Sequence, residues 1–158
     1  MKRLIIAGLL ASTTALAAEY PDKTIVFVVP FAAGSATDVS GRLMAQKFQE
    51  LWGQPVVVEN IAGNSGAIGV DRVAKAAPDG YTLMWSGNAA ITLLPSLQKL
   101  PFDPLRDFTA VAYVNASPLW LVVHPSVNVK TVRELIAVAK RHPGTTLGNS
   151  GVGTVTHM

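Results

Sequence analysis

The sequence predicts an α/β fold in which helices pack on a mostly parallel sheet. Two observations carry this expectation: short β-branched apolar runs alternate with stretches of helical spacing, and four of the strand-like runs are followed by a loop rich in Gly, Ser, Asn or Ala. Residues 24–29 form the first such run, ended by Pro30. Over residues 36–52, Val39, Leu43, Phe48, Leu51 and Trp52 fall at helical spacing, and Gly53 stops the helix. Residues 56–59 read as a second buried strand, and the loop 60–66 leads into a helix carrying Ile68, Val70 and Val73. Pro78-Asp79-Gly80 is a turn. Residues 82–85 read as a third strand, followed by a short helical stretch through Leu94 that Pro95 closes.

The stretch 100–104 is too proline-rich for regular structure, and it hands over to two strand candidates, 109–114 and 119–124. Between them, Asn115-Ala116-Ser117-Pro118 marks a crossing point between two lobes. Thr131 and Glu134 have capping-box spacing, which predicts a helix from Val132 to about His142, ended by Pro143-Gly144. A last short strand at 146–147 meets the glycine-flanked loop 149–154.

The N-terminus has the order of an export signal: basic Lys2 and Arg3, an apolar run over 4–11, then small Ala15, Ala17 and Ala18. Residues 1–17 are expected to be a signal peptide cut after Ala17. The apolar run is too short to cross a membrane, so the mature chain should not span one. Without Lys2 and Arg3, the 13 basic side chains become 11 against 10 acidic, a net charge of +1. That removes the electrostatic argument for nucleic acid as a partner. The chain has no cysteine, which excludes disulfides, thiolate metal sites, a thiol nucleophile and a lipid anchor on cysteine. His124, His142 and His157 have no ligand-like spacing, and no motif calls for a cofactor.

Four loops share one design: 31–37, 62–67, 86–89 and 149–154 each follow a strand candidate and open into an apparent helix. In a parallel sheet they would gather at the carboxyl ends of the strands, where such sheets bind ligands. Helix N-termini offer free N–H groups and partial positive charge, which suits an anion. None of the four contains Lys or Arg, which favours a carboxylate over a polyphosphate. The sequence has no G-x-G-x-x-G, no G-K-[ST] and no G-x-S-x-G. Ser150 and Thr154 are the leading polar candidates, as hydroxyls of a glycine-flanked cradle.

Other candidates carry two readings. Ser35 and Asp38 have capping-box spacing; alternatively, Asp38 faces the cleft and pairs with a ligand ammonium. Gly34, Gly63 and Gly66 either permit positive φ or allow close approach of ligand. Ser86 and Asn88 either cap a helix or contact ligand. Trp52, Trp85 and Trp120 are expected in the core rather than as ligand platforms.

Several motifs in order resemble one family. They are Tyr20-Pro21-Asp22-Lys23, Pro30-Phe31-Ala32-Ala33-Gly34-Ser35-Ala36-Thr37-Asp38 and Ala77-Pro78-Asp79-Gly80-Tyr81-Thr82-Leu83. Phe102-Asp103-Pro104 with Asp107-Phe108, Leu121-Val122-Val123-His124-Pro125-Ser126, and Asn149-Ser150-Gly151-Val152-Gly153-Thr154 complete the set. Together they resemble the extracytoplasmic receptors of tripartite tricarboxylate transporters, the Bug receptors. The resemblance implies a type II periplasmic binding-protein fold, with two α/β lobes closing on a small carboxylate that is passed to transporter membrane subunits. It implies a periplasmic location and no catalysis. Carried over by motif, the ligand-binding residues would be Phe31, Ala32, Gly34, Ser35, Ala36, Thr37, Asp38, Ser150, Gly151 and Thr154, with Ser86 and Asn88 contributing from the first lobe. Ser35 departs from the glycine usual in the family.

On this reading the chain divides into a signal peptide (1–17), a first α/β lobe lacking its return segment (18–114) and the start of a truncated second lobe (115–158). Residues 18–158 alone would then be a poor receptor, with Leu121, Val123, Leu135, Ile136 and Leu147 left unburied. The rival readings are a non-functional remnant of such a receptor and a small exported α/β enzyme acting on a phosphorylated or acyl substrate.

Overall fold

A computed structural model describes residues 19–152 and 154–157, so the expected signal peptide lies outside the described residues. Three parallel strands, β1 (Ile25–Val29), β2 (Val56–Asn60) and β3 (Thr82–Met84), form a sheet in the order β2-β1-β3. In register, Phe27 lies opposite Val58 on one side and Leu83 on the other. The central strand is an almost uninterrupted buried run, as expected where both faces of a parallel sheet are covered.

Helix α1 (Ala36–Trp52) returns the chain from β1 to β2 and covers one face. There Ile25 and Phe27 meet Ala45, Phe48, Trp52, Val58, Leu83 and Trp85. Helix α2 (Ala67–Ala74) returns the chain from β2 to β3 on the other face, followed by two short helices, α3 (Ala89–Thr92) and α4 (Leu94–Leu97). Ala67, Val70, Ala90, Leu94 and Phe102 form the core of that second layer with Met84 and Phe108. Because parallel crossovers are right-handed, moving from β1 to β2 and then back past β1 to β3 places the two helices on opposite faces.

The buried stripe of α1 differs from the expected one. Asp38, Gly41 and Ala45 are buried and continue into Phe48 and Trp52, whereas Val39, Leu43 and Leu51 are exposed. The small residues bring the helix close to the sheet: a Cβ on Gly41 would lie 2.9 Å from Cδ1 of Trp85. The Trp85 ring stacks on Phe27 at 5.8 Å, and its Nε1 donates to the Ser40 hydroxyl at 3.0 Å. Trp52 stacks on Phe48 at 4.3 Å. Trp120 departs from expectation and is 81% exposed.

Other expectations also change. Pro95 does not close the helical stretch; it occupies the first turn of α4, where no intrahelical N–H is required. Residues 109–114, 119–124 and 146–147 form no strand and are exposed. β-propensity expresses packing against a neighbouring strand, and these runs have none among the described residues. Helix α5 (Val132–Arg141) does form, with the expected capping box: Glu134 N–H donates to Thr131 Oγ1, and Thr131 N–H to Glu134 Oε2, each at 3.2 Å. It buries none of its residues.

At the amino ends of the strands, two motifs singled out in the sequence are stitched together. Tyr20 donates to the Gly80 carbonyl at 2.8 Å, Tyr81 donates to the Asp22 carboxylate at 2.5 Å, and Lys23 pairs with Asp79 at 3.0 Å. Donation to the Asp22 carboxylate holds the proton on the Tyr81 hydroxyl and raises its pKa above the ordinary tyrosine value. These motifs therefore hold β1 to β3 at the end of the sheet opposite the loops considered next.

Candidate functional site

The strand order creates a switch point. The loop after β1 runs to α1 on one face, while the adjacent loop after β3 runs to α3 on the other, so residues 31–37 and 86–89 diverge at the edge where sheets of this order take ligands. The loop after β2 flanks it and turns through left-handed Asn64 (φ 44°) and Ser65 (φ 52°) before entering α2. The Ser65 hydroxyl donates to the carbonyl of Val152, which brings the loop 149–154 to the same edge. All four sequence-predicted loops thus meet there.

At the opening of α1, Ser35 caps the helix by accepting from Asp38 N–H at 3.2 Å. Asp38 does not complete the expected box to Ser35; its Oδ2 accepts instead from Gly34 N–H at 2.8 Å, one residue further back. Gly34 has φ 82°, and this turn presents its N–H to Asp38. The Asp38 carboxylate is only 2% exposed and is fully engaged: Arg42 Nε lies 3.0 Å from Oδ1, and Asn60 Nδ2 donates to Oδ1 at 2.9 Å. Asn60 Nδ2 also donates to the carbonyl of Phe31 at 3.1 Å, and Arg42 Nη2 donates to Asn60 Oδ1 at 2.8 Å. Sequence reasoning missed Arg42 and Asn60. The one signal available was a cation one turn beyond Asp38.

With Gly34 bound to Asp38, the N–H groups of Ala36 and Thr37 remain without a partner among the described residues, at the positive end of a 17-residue helix. Phe31 is half-buried and Ala32 exposed along the same loop. In the loop after β3, Asn88 makes no side-chain cap to α3; its carbonyl accepts from Ile91 and Thr92, leaving an exposed amide side chain. Ser86 donates locally to the Gly87 carbonyl at 2.9 Å.

The fourth loop is a hydroxyl cluster. Thr154, buried, donates to the Gly151 carbonyl at 2.6 Å, and Ser150 donates to Thr154 Oγ1 at 3.1 Å. Thr156, which sequence reasoning did not include, joins them: its Oγ1 lies 2.6 Å from Ser150 Oγ and accepts from Ser150 N–H at 3.0 Å. Gly151 takes φ 125°. The expected helix after this loop is absent among the described residues, and turns and a bend occupy 152 and 154–157 instead. No group of three or more His, Cys, Asp or Glu side chains among the described residues could hold a metal.

The Asp38 carboxyl is held down at about 2, first by the Gly34 N–H and then by the hydrogen bonds of Arg42 and Asn60. Its folded value lies below the unfolded value of about 3.9. The stabilisation is therefore complete above about pH 4 and is lost as pH falls through about 2. Asp38→Asn should be less stable than wild type at neutral pH, and the gap should narrow between pH 4 and pH 2. Urea midpoints of both proteins across that range check it, and a gap independent of pH would refute it.

Residues 41–158 match the family described as "Tripartite tricarboxylate transporter family receptor". Protein BugT of Bordetella pertussis is 38% identical over 170 aligned positions, which include 100% of this chain and 51% of BugT. The chain thus spans about half the length of the curated relatives it matches. The solved structure of Rhodopseudomonas palustris MatC with bound malate is 35% identical with TM-score 0.72, covering 78% of this chain and 42% of that one. R. palustris Rpa4515 with adipate is 33% identical with TM-score 0.80, covering 86% and 46%. The α/β layer described above is accordingly that of a periplasmic-binding-protein-like receptor, and the chain belongs to the tripartite tricarboxylate transporter receptor family.

Proposed function

We propose that this chain is the ligand-capturing part of an exported, non-catalytic receptor that takes up a small carboxylate outside the inner membrane and delivers it to a tripartite tricarboxylate-type transporter. The observation that carries the reading is the pair of N–H groups, Ala36 and Thr37, that has no partner among the described residues, at the α1 N-terminus beside a topological switch point. The ligand-binding set is the one carried over by motif, except that Asp38, buried and engaged by Gly34, Arg42 and Asn60, stands behind the cradle rather than on the ligand, and Thr156 joins the Ser150 and Thr154 hydroxyls. Malate in MatC and adipate in Rpa4515 supply the ligand class, dicarboxylates of four to six carbons. Residues 1–17 act as the signal peptide, 18–114 contribute the first lobe and 115–158 begin the second.

The test is to express the two-lobed receptor in a Gram-negative host, sequence the mature N-terminus recovered from the periplasm, and titrate malate and adipate by calorimetry. Saturable binding is expected. Ser150→Ala and Thr154→Ala should each weaken it by about 0.5–1.5 kcal/mol, rising to about 3 kcal/mol if a carboxylate oxygen is left underpaired. An uncleaved cytoplasmic product, or no binding across a panel of dicarboxylates, would overturn the reading.

A further inference from the structure

A buried carboxylate lies directly behind the proposed anion site. Asp38 is the third residue of α1, so a ligand carboxylate held by the N–H groups of Ala36 and Thr37 would approach a like charge in a poorly solvated position. Coulomb repulsion there is screened far less than at a free surface. A cradle that accepts anions while enclosing an anion needs a nearby counter-charge, and one is present. Among the described residues, Arg42 is the charged side chain paired with Asp38. Its Nε bridges both carboxylate oxygens, at 3.0 Å and 3.1 Å, and its Nη2 donates to Asn60 Oδ1 at 2.8 Å. Asn60 closes the ring by donating from Nδ2 to Asp38 Oδ1 at 2.9 Å and to the Phe31 carbonyl at 3.1 Å. The ring joins the start of α1, the end of β2 and the start of the β1–α1 loop, and it does so without placing Arg42 in that loop.

Resting on the carboxylate-receptor reading, we infer that Arg42 and Asn60 are positioning and specificity-determining residues: Arg42 neutralises Asp38 so that the α1 N-terminus accepts a dianion, and Asn60 clamps the ligand loop onto the sheet. Neither touches the ligand. The lack of Lys and Arg in the four loops is then only half of the electrostatic design, because the necessary cation stands one helical turn behind the site. A guanidinium suits this place, since it serves both the carboxylate and the amide oxygen with a planar fork of donors.

The roles separate by ligand charge. In the two-lobed receptor, calorimetry with malate and with its neutral diamide would be run on wild type, Arg42→Gln, Arg42→Lys, Asn60→Ala and the double variant Asp38→Asn/Arg42→Gln. Arg42→Gln should weaken malate on the order of fivefold and the diamide much less, because it exposes the ligand to an uncompensated charge. Arg42→Lys should restore most of the malate affinity. The double variant should also recover it, even with a lower melting temperature, because the repelling charge has gone with its partner. Asn60→Ala should weaken malate and diamide alike, as expected of a clamp. Equal weakening of both ligands by Arg42→Gln, or a double variant as weak as the single one, would overturn the neutralising role. A wild type that binds no dicarboxylate would instead refute the receptor reading itself, and this inference with it.

Discussion

Gly69→Val is expected to destabilise the chain by about 3 kcal/mol or more, and Gly69→Ala by about 1–2 kcal/mol, despite the better helix propensity of both replacements. Alanine in place of glycine inside a helix normally gains about 0.5–1 kcal/mol. At this position a Cβ would lie 2.7 Å from the carbonyl oxygen of Ile61, 2.8 Å from Pro30 Cβ and 2.9 Å from Pro30 Cα. The first of these is backbone and the other two belong to a ring at the end of the central strand, so none can swing aside. Overpacking of this kind costs about 1–3 kcal/mol or more and outweighs the propensity gain. Gly87 is the control, since a Cβ there meets nothing within 4 Å, and Gly87→Ala should stay within about 0.5 kcal/mol of wild type. Urea melts of the three variants decide it. A Gly69→Ala protein as stable as wild type would show that α2 can lift off Pro30 freely.

Phe27→Ala should cost about 3–5 kcal/mol, a large share of the 5–15 kcal/mol that an ordinary domain possesses. Phe27 is 2% exposed at the middle of the central strand, stacked against Trp85 and edge-on to Phe48 with ring centroids 5.8 Å apart in both pairs. Its removal leaves a void that three elements share, and none can close it without moving the sheet. Leu105→Ala, at a side chain 93% exposed, should change the urea midpoint little. Comparable midpoints for the two variants would mean that the Phe27 cavity collapses, and that the sheet is softer than its burial implies.

The elements that sequence reasoning finds are those written in a few consecutive residues. The run before Pro30, the spacing of the first long helix, the second strand and the Thr131–Glu134 capping box are all local signals, and each forms. The failures are of another kind. The face of α1 is misread because its buried stripe consists of a carboxylate, a glycine and an alanine, residues that hydropathy does not count as core. Residues 109–114 and 119–124 read as strands because Val, Leu, Trp and Tyr favour pleated backbone, yet a strand also requires a partner. The ring of Asp38, Arg42 and Asn60 joins positions up to 22 apart in sequence, and only the parallel pairing of β1 with β2 brings Asn60 beneath the first loop. Three of the four loops are legible as a set because they follow parallel strands and obey a topological rule rather than a local one, whereas 149–154 has neither a strand before it nor a helix after it and reaches the edge through Ser65. Two of the family marks, at 20–23 and 77–83, hold the far end of the sheet together rather than join the loop edge.

The three tryptophans give the chain two separable optical signals. Trp85 is wedged between Phe27 and Gly41 with its indole N–H tied to Ser40, and Trp52 lies face to face with Phe48; both are half-buried, so they should emit at shorter wavelength than Trp120 and be quenched less by iodide. Trp120 stands in water and should emit red-shifted light that iodide quenches readily. A spectrum resolved by quencher therefore follows the three-stranded layer through one population of indoles and the segment beyond it through the other. Folding of the layer and any later burial of Trp120 can thus be timed independently in the same sample, without an added label.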